Sequence, residues 1–347
     1  MSIKQIKESF YLKLAYQQAE INLGSTGVNP SVGAIVVKNN SILSSGRTSF
    51  NGRPHAESNA LKKNIDYKNS DLYVTLEPCS HYGETPPCTK KIISKKINRV
   101  IFSINDIDLR SKNLASKELG KKNIFTKKNL LKNYAKKFYK SYFMQSRKEQ
   151  LFIDGKIAVS KDFFTINKKN RWITNKISRK LANFLRSKYD CLLTTSKTIN
   201  DDNPLLNCRI EGLEKKSPDI IILDRQFKIK KNSEIFKKNK SKIFILTNTN
   251  NSNKERFFKK KNIKIVKFAR KNNNYKDLKN TFLEIKKLGF NRVLVETGIT
   301  FLDQLIKYRF IKNFYLFKSS LRLKKSGLNR SHALHNKKIS ITERSKI

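Results

Sequence analysis

Short apolar runs alternate with amphipathic segments along most of the chain, and this alternation constrains the fold more than any other feature. In the first half, strands are predicted at 32–37, 71–76 and 99–104, and helices at 11–20, 55–63 and 89–96. After a polar stretch at 141–150, strands are predicted at 151–159, 191–195, 220–224, 243–247, 263–268 and 292–296, with an amphipathic helix at 175–188. Strands that alternate with helices are typical of layered α/β folds. We therefore predict two α/β domains that meet in the polar stretch.

Length and composition support a folded protein of two domains. The chain has 347 residues, and domains usually hold roughly 100–200 residues. It is 38% hydrophobic, with 22 Phe and 12 Tyr, which excludes a disordered basic tail. No apolar run approaches the ~18–20 residues that span a bilayer, and the N-terminus has no apolar signal core. We therefore expect no membrane segment and a cytoplasmic location.

The charge is strongly one-sided. The chain has 75 Lys and Arg against 27 Asp and Glu, which gives a net charge of +48. Such a charge is compatible with nucleic-acid binding. Lys, Asn and Ile are abundant throughout, however, and this favours a coding bias over a dedicated nucleic-acid surface. We expect no specific nucleic-acid partner, but a chain that accepts phosphorylated small molecules.

One His and two Cys residues form a candidate metal site. His55, Cys79 and Cys88 offer one imidazole and two thiolates, a set that suits Zn²⁺. Three protein ligands leave the fourth position to water, whose pKa zinc lowers toward ~7. Glu57, two residues after His55, can face that water and carry a proton without binding the metal. His81, between the two cysteines, is left open as a fourth ligand.

The spacing of this set resembles a known family. Zinc deaminases carry H-x-E followed by P-C-x-x-C, but here eight residues separate the two cysteines. The longer loop is similar to that of the bifunctional riboflavin-biosynthesis deaminase–reductase family. The resemblance rests on "NPSVGAIVV", "HAESNAL" and "VTLEPCSHYGETPPC", which begin at Asn29, His55 and Val74.

The resemblance implies a fold and an activity for each half. Residues 1–146 are expected to form a cytidine-deaminase-like αβα domain, 150–325 a dihydrofolate-reductase-like α/β domain, and 326–347 a polar basic tail. The first half is expected to deaminate 2,5-diamino-6-ribosylamino-4(3H)-pyrimidinone 5′-phosphate with zinc, and the second to reduce the ribosyl group with NADPH. The family also implies a homo-oligomer, with Asn29 and His81 near the substrate.

The second half has no G-x-G-x-x-G motif, so its site residues rest on the resemblance alone. The matching segments are "KIAVSKD", "RWIT", "LRSKYDCLLTTSKTINDDNPLLNCR" and "VLVETGIT". The family's NADPH contacts fall on Ala158, Trp172, Thr198, Asp202 and Gly298. Its substrate contacts fall on Asn170, Arg186, Leu206, Arg209 and Glu296. Both arginines are suited to bind a ribose phosphate bidentately.

Departures from the family pattern leave alternatives open. Phe163 replaces a Gly, Asn170 replaces a Ser, and "E-G-G-P" is replaced by "ETGI" at 296–299. A deaminase with a silent reductase half is one alternative. Another is a polynucleotide base deaminase with a basic binding domain. Cys191 and Cys208 are predicted to be plain thiols.

Overall fold

A computed structural model describes residues 2–145, 150–170 and 172–330. The chain divides into two compact units, Met1–Leu151 and Phe152–Ile347. This division lies one residue past the polar stretch at 141–150, of which residues 146–149 are outside the described part, as are 331–347 of the predicted tail. Among the described residues, no helix is both long and apolar enough to cross a bilayer.

The first unit is a five-stranded sheet with helices packed on it. Its strands are β1 (Gly33–Lys38), β2 (Ser41–Arg47), β3 (Asp71–Val74), β4 (Arg99–Phe102) and β5 (Phe125–Lys127). Its helices are α1 (Ile3–Ile21), α2 (Ala56–Ala60), α3 (Cys88–Ser94), α4 (Ala115–Gly120), α5 (Lys132–Phe138) and α6 (Lys140–Gln145). The strand order is β2-β1-β3-β4-β5; β1 is antiparallel to both neighbours, and β3, β4 and β5 are parallel.

Helix α1 packs directly against β1. The backbones approach so closely that a Cβ atom on Gly33 would lie 1.8 Å from the Ala15 carbonyl oxygen. Leu12, Ala15 and Tyr16 fill the contact from the helix side. The helix begins eight residues before the predicted Tyr11, because Ser2 and Gln5 form a reciprocal capping box at its N-terminus.

The second unit is a seven-stranded sheet in which every adjacent pair is parallel. Its strands are β6 (Phe152–Val159), β8 (Cys191–Thr195), β9 (Asp219–Leu223), β10 (Ile243–Thr247), β11 (Lys264–Lys267), β12 (Arg292–Glu296) and β13 (Asn313–Lys318). Two further strands, β7 (Phe164–Asn167) and β14 (Gly327–Arg330), form a separate antiparallel pair. The order of the large sheet is β11-β10-β9-β8-β12-β6-β13.

Helices separate most of these strands. They are α7 (Lys176–Arg186), α8 (Ser196–Asp202), α9 (Ile235–Lys238), α10 (Ser252–Lys260), α11 (Asn274–Lys287) and α12 (Ile299–Lys307). Single turns of 3₁₀ helix occur at Phe50–Gly52, Glu214–Lys216 and Lys324–Ser326. The central strands are buried on both faces, as in β8 and β12, which is the normal state of a parallel sheet covered by helices. The carboxyl ends of β8, β12 and β6 therefore lie side by side at one edge of the sheet.

Candidate active sites

The three predicted metal ligands converge in the first unit. His55 is the N-cap of α2, Cys88 is the first residue of α3, and Cys79 lies in the loop after β3. One ligand atom from each residue lies within 4.8 Å of the others. The sheet and two helix starts thus assemble a site from residues up to 33 positions apart.

The distances fit a tetrahedral zinc ion. With Zn–S of about 2.3 Å and Zn–N of about 2.0–2.1 Å, a tetrahedron separates its sulfur and nitrogen ligands by roughly 3.5 Å. His55 Nδ1 lies 3.5 Å from Cys79 Sγ and 3.4 Å from Cys88 Sγ. The other ring nitrogen, Nε2, faces Arg53 Nη1 at 3.4 Å. Nδ1 is therefore the atom that would bind the metal.

The surroundings of Cys79 favour the thiolate that a metal requires. The pKa of Cys79 is lowered to about 4, first by a hydrogen bond from the Cys88 thiol and then by His55 and the Cys88 amide. The Cys88 N–H donates to Cys79 Sγ at 3.3 Å. Since thiols bind zinc in the deprotonated form, this sulfur is prepared for a metal.

Glu57 lies beside this ligand group without joining it. It is in the first turn of α2, only 4% exposed, and its carboxyl group is hydrogen-bonded to the Cys88 thiol. Burial, and next the charge of Cys79, raise the pKa of Glu57 to about 7. A carboxyl group that titrates near neutrality can both accept and donate a proton at physiological pH.

Two residues fix α2, and with it His55 and Glu57. A Cβ atom on Gly46 would lie 2.2 Å from the Ala56 carbonyl oxygen and 2.4 Å from the Ala60 nitrogen, so only glycine allows α2 to lie this close to β2. The Asn59 amide donates to Arg47 O at 2.8 Å, to Ser49 Oγ at 3.0 Å and to Pro54 O at 3.3 Å. Sequence reasoning identifies neither residue, since their roles depend on contacts across the fold.

A buried carboxylate orders the loop that faces the metal ligands. Glu77, two residues before Cys79, accepts hydrogen bonds of 3.1 Å from the amides of Asp106, Asn113 and Ala115. Sequence reasoning does not single out Glu77 as a functional residue, although its place between a strand end and Pro78-Cys79 is a usable signal.

His81 and Asn29, the two residues of the first unit that are predicted to lie near the substrate, contact neighbouring loops. His81 Nδ1 is 2.6 Å from Ser111 Oγ, and His81 is not part of the group that could hold a metal in the described residues. The Asn29 side chain rests on the loop before His55, so close to Gly52 that a Cβ there would lie 2.2 Å from Asn29 Nδ2.

In the second unit, two predicted substrate residues bind each other. Arg186 Nε and Nη2 donate to the two carboxylate oxygens of Glu296 at 2.7 and 3.0 Å, and Nη1 donates to Asn207 O at 2.9 Å. Lys156 Nζ lies 3.3 Å from Glu296 Oε2. Burial alone would raise the pKa of Glu296, but Arg186 and Lys156 together lower it to about 2.

Arg186 is held in place by protein acceptors. Each of its three nitrogen atoms donates to one of them, and the side chain is buried. Arg209, the second arginine predicted to contact phosphate, is exposed. The phosphate contact of both arginines stays a prediction.

Three hydroxyls meet where β8 and β12 end. Thr195 Oγ1 lies 3.1 Å from Thr198 Oγ1 and 3.2 Å from Thr297 Oγ1, and the latter two are 3.3 Å apart. Gly298, the next residue, is the exposed N-cap of α12, and a Cβ atom added there would meet nothing within 4 Å beyond its chain neighbours. The predicted cofactor residues Thr198 and Gly298 are thus brought together at an open helix N-terminus.

The other site residues predicted for the second unit lie on separate strands, helices and loops. Trp172 is 52% exposed, with the Arg179 guanidinium 4.8 Å from its ring centre. Ala158 is near the end of β6, Asp202 ends α8, and Asn170 is exposed before α7. Leu206 is buried in the loop after α8, next to the Asn207 carbonyl that binds Arg186.

Phe163 occupies the position where the family pattern has Gly, and it keeps a glycine-like backbone. Its φ is +65°, a conformation that is costly for a bulky residue. Its ring packs beside Ile157 and Val159, and Lys318 Nζ lies 4.1 Å from the ring centre. The turn is therefore retained despite the substitution.

Comparison with known proteins assigns both units. Residues 148–321 match the RibD C-terminal domain, and residues 5–104 match the cytidine and deoxycytidylate deaminase zinc-binding region. The riboflavin biosynthesis protein RibD of Aquifex aeolicus is 31% identical over 318 residues, which cover 91% of this chain and 87% of the relative. That of Chlamydia pneumoniae is 26% identical over 328 residues, which cover 91% and 85% of the two chains.

A solved structure confirms the two predicted fold classes. A Thermotoga maritima protein described as a diaminohydroxyphosphoribosylaminopyrimidine deaminase/5-amino-6-(5-phosphoribosylamino)uracil reductase superposes with a TM-score of 0.78 at 26% identity. The match covers 94% of this chain and 90% of that one. Both domain models match, and a relative aligns along 91% of this chain. The chain therefore belongs to the RibD family of riboflavin biosynthesis proteins and consists of a zinc-binding deaminase domain followed by an NADPH-dependent reductase domain.

Proposed function

We propose that this chain catalyses two consecutive steps on one phosphorylated pyrimidine. The first is hydrolytic deamination of 2,5-diamino-6-ribosylamino-4(3H)-pyrimidinone 5′-phosphate, assigned to residues 1–146. The second is NADPH-dependent reduction of the ribosyl side chain to ribityl, assigned to residues 150–325. The observation that carries the proposal is the convergence of His55, Cys79 and Cys88 with the non-ligand Glu57 beside them.

For the deamination step, His55 Nδ1 and the thiolates of Cys79 and Cys88 would hold Zn²⁺, which would supply a water of lowered pKa as the nucleophile. Glu57 would take up a proton from water and pass it to the departing amino group, so that one water is consumed and one ammonia leaves. Its burial keeps bulk water away from the proton transfer.

In the reduction step, the chain binds and orients two ligands. NADPH supplies the hydride. Gly298, the N-cap of α12, is proposed to bind its phosphate groups, because helix N-termini favour anions, and Thr198 of α8 to bind it nearby. Trp172, Ala158 and Asp202 complete the proposed cofactor contacts.

The proposed substrate contacts of the second unit surround Glu296. Arg186 and Lys156 keep its carboxylate ionised and fixed in place, so that it can accept hydrogen bonds from sugar hydroxyls. Arg209 binds the 5′-phosphate, with Asn170 and Leu206 at the edge of the site. Hydride addition to the sugar carbon that bears the amine would break the ring carbon–oxygen bond at that carbon, the released oxygen would take one proton from solvent, and no catalytic acid is assigned.

A coupled assay tests the function. Zinc-loaded protein is given the diaminopyrimidine ribosyl phosphate, and ammonia release and NADPH absorbance are followed together. We expect ammonia first and an equal amount of NADPH oxidation after it. Ammonia without NADPH oxidation would show a silent reductase unit. Ammonia from RNA in place of the small substrate would contradict the proposal in favour of a polynucleotide deaminase.

The family resemblance also implies a homo-oligomer and a cytoplasmic location, and we include both in the proposal. Light scattering on the purified chain tests the first, and cell fractionation tests the second. A monomer at micromolar concentration, or recovery with membranes, would contradict them.

A further inference from the structure

The positive charge is not evenly spread along the chain. Residues 228–271 hold 16 Lys and Arg and only 2 acidic residues, a net charge of +14 in 44 residues, whereas the other 303 residues together carry +34. The charge per residue is thus nearly three times higher in this segment. The overall charge stays attributed to a coding bias, and the fold decides whether the cations of this segment meet on one surface.

The fold brings these cations to one end of the large sheet. The segment builds α9, β10, α10 and the edge strand β11. Lys231 precedes α10 in the chain and Lys261 follows it, yet both approach the ring of Phe257. Their Nζ atoms lie 5.2 and 5.6 Å from the ring centre. Lys254 Nζ donates to the carbonyl oxygens of Phe227 and Ile229. The loop after β9 and helix α10 therefore share one face.

We name this face the α10 patch. It consists of exposed cations from the loop after β9, from α10 and its C-terminus, and from β11: Lys228, Lys230, Lys231, Arg256, Lys259, Lys260, Lys261 and Lys264.

Neither acidic residue of the segment neutralises the patch. Glu234 pairs with Lys237 and Lys238 at 3.3 and 2.6 Å, and Glu255 pairs with Lys267 at 2.9 Å. Within the part of the chain that the structure describes, none of the eight patch cations forms an ion pair, although Glu255 lies near enough to Lys259 to attract it. The surface therefore needs a negatively charged partner from outside the chain or a layer of counterions.

We propose that the α10 patch binds the phosphate backbone of nucleic acid without regard to base sequence. Seven of its eight cations are lysines, which act as point charges rather than as planar readers of base edges. The Phe257 ring is approached by two lysines, so it is not a free platform for base stacking. No large hydrophobic side chain is exposed within the described segment 228–271, and a membrane-binding surface needs such anchors.

The patch is separate from the proposed reductase site. Strands β9 and β10 lie between β11 and β8 in the sheet, and the proposed cofactor and substrate residues lie around β6, β8 and β12. Nucleic acid bound at the patch is therefore expected to leave ammonia release and NADPH oxidation unchanged.

Two variants of the full chain with equal net charge test the proposal. The patch variant is Lys231→Gln, Arg256→Gln, Lys260→Gln and Lys261→Gln. The control variant is Lys62→Gln, Lys63→Gln, Lys122→Gln and Lys132→Gln, at exposed positions of the first unit. Fluorescence anisotropy measures binding to an RNA duplex and a DNA duplex of about 20 base pairs between about 50 and 200 mM salt, the range in which phosphate contacts show their salt dependence.

For the wild type and the control variant we expect the same affinity for all duplex sequences and a steep loss with salt. The patch variant is expected to bind at least about tenfold more weakly, with a log–log salt slope smaller by about 3. Equal losses in both variants would overturn the proposal, because binding would then follow net charge alone. Tighter binding to phosphatidylserine vesicles than to duplexes would overturn it in favour of a membrane. Unchanged NADPH oxidation by the patch variant and unchanged ammonia release by the control variant show that the altered unit of each is folded.

Discussion

Glu57 lies within hydrogen-bond reach of a metal-ligating thiol, yet its carboxylate is outside the group that could hold the ion. This arrangement would assign metal binding and proton transfer to different residues. In the proposed mechanism, His55, Cys79 and Cys88 bind the metal, whereas Glu57 transfers protons. A substitution at position 57 therefore distinguishes catalysis from metal binding.

We expect Glu57→Gln to lower the rate of ammonia release by about 10²–10⁴-fold, the usual contribution of a positioned acid–base group, with zinc content unchanged. The amide keeps the size of the side chain but carries no proton between water and leaving group. Elemental analysis and an ammonia assay measure the two quantities. Glu118→Gln, which removes a surface carboxylate paired with Lys121 in the same unit, is the control and should behave as the wild type. Activity retained in Glu57→Gln would refute the proton-transfer role.

The buried ion pair between Arg186 and Glu296 makes a second prediction. Removing one member leaves the other charge buried, so Arg186→Met is expected to destabilise the second unit by about 3–5 kcal/mol. Lys197→Met removes an exposed pair with Asp201 and should cost at most about 1 kcal/mol. Trp172 is the only Trp of the chain, so its fluorescence during urea unfolding reports on the second unit.

A variant without any of these charges tests whether the unpaired charge causes the loss of stability. Arg186→Met combined with Glu296→Leu and Lys156→Met removes all three charges and should recover a large part of the lost stability. Equal stability of Arg186→Met and the wild type would show that the pair does not hold the unit together.

The residues that are predictable from sequence are those whose chemistry is visible in their spacing. His55, Cys79 and Cys88 stand out because one imidazole and two thiols occur in a pattern typical of zinc sites. The pairing of Arg186 with Glu296 is not visible, since 110 positions separate them and either could equally face solvent or substrate. Only the fold reveals that they neutralise each other.

At the scale of elements, the position of α2 depends on one glycine. Gly46→Ala places a methyl group within 2.4 Å of two backbone atoms of α2, and backbone cannot move aside as a side chain can. We expect a destabilisation of about 1–3 kcal/mol, typical of overpacking, and weaker zinc binding because His55 and Glu57 shift with the helix. Thermal unfolding and competition with a chelator measure these effects.

Gly120→Ala is the matched control for this prediction. Gly120 also lies in the first unit, at the end of α4, and a Cβ there meets no atom within 4 Å. Alanine at position 120 should be neutral or slightly stabilising. If both variants bound zinc as the wild type does, the close contact at Gly46 would not be what positions the site.

Strands that are buried on both faces are the most predictable elements. The limits predicted for β8, β10 and β12 agree with the structure residue for residue, because continuous apolar runs mark central parallel strands. Strand β2, "SILSSGR", is not predicted from the sequence; it lies at the edge of its sheet and is mostly polar. Helix α2 is shorter than the predicted 55–63, since it ends at Ala60.

At the scale of the whole molecule, the two activities have separate cores and separate ligands. Within the described residues, the proposed metal ligands belong to the first unit, and the proposed NADPH contacts belong to the second. Chelation of zinc should therefore stop ammonia release and lower the unfolding temperature of the first unit, since metal binding contributes to folding.

NADPH oxidation with the already deaminated substrate should continue at its normal rate after chelation. Calorimetry and the two spectrophotometric assays test this on one sample, and added Zn²⁺ should restore ammonia release. Loss of both activities on chelation would show that the reductase depends on the metal, contrary to this expectation.

The short edge strand β11 affects whether two copies of this molecule can pair through the edges of their sheets. Its outer backbone groups are at the open edge of the sheet, and its sequence is Lys264-Ile265-Val266-Lys267, with both lysines exposed. A second copy that added its own β11 antiparallel would set Lys264 opposite Lys267, and a parallel addition would bring identical lysines together. Like charges in such positions oppose strand pairing. The lysines thus protect the sheet from growing into a fibre, and a polyanion that neutralised them would weaken this protection.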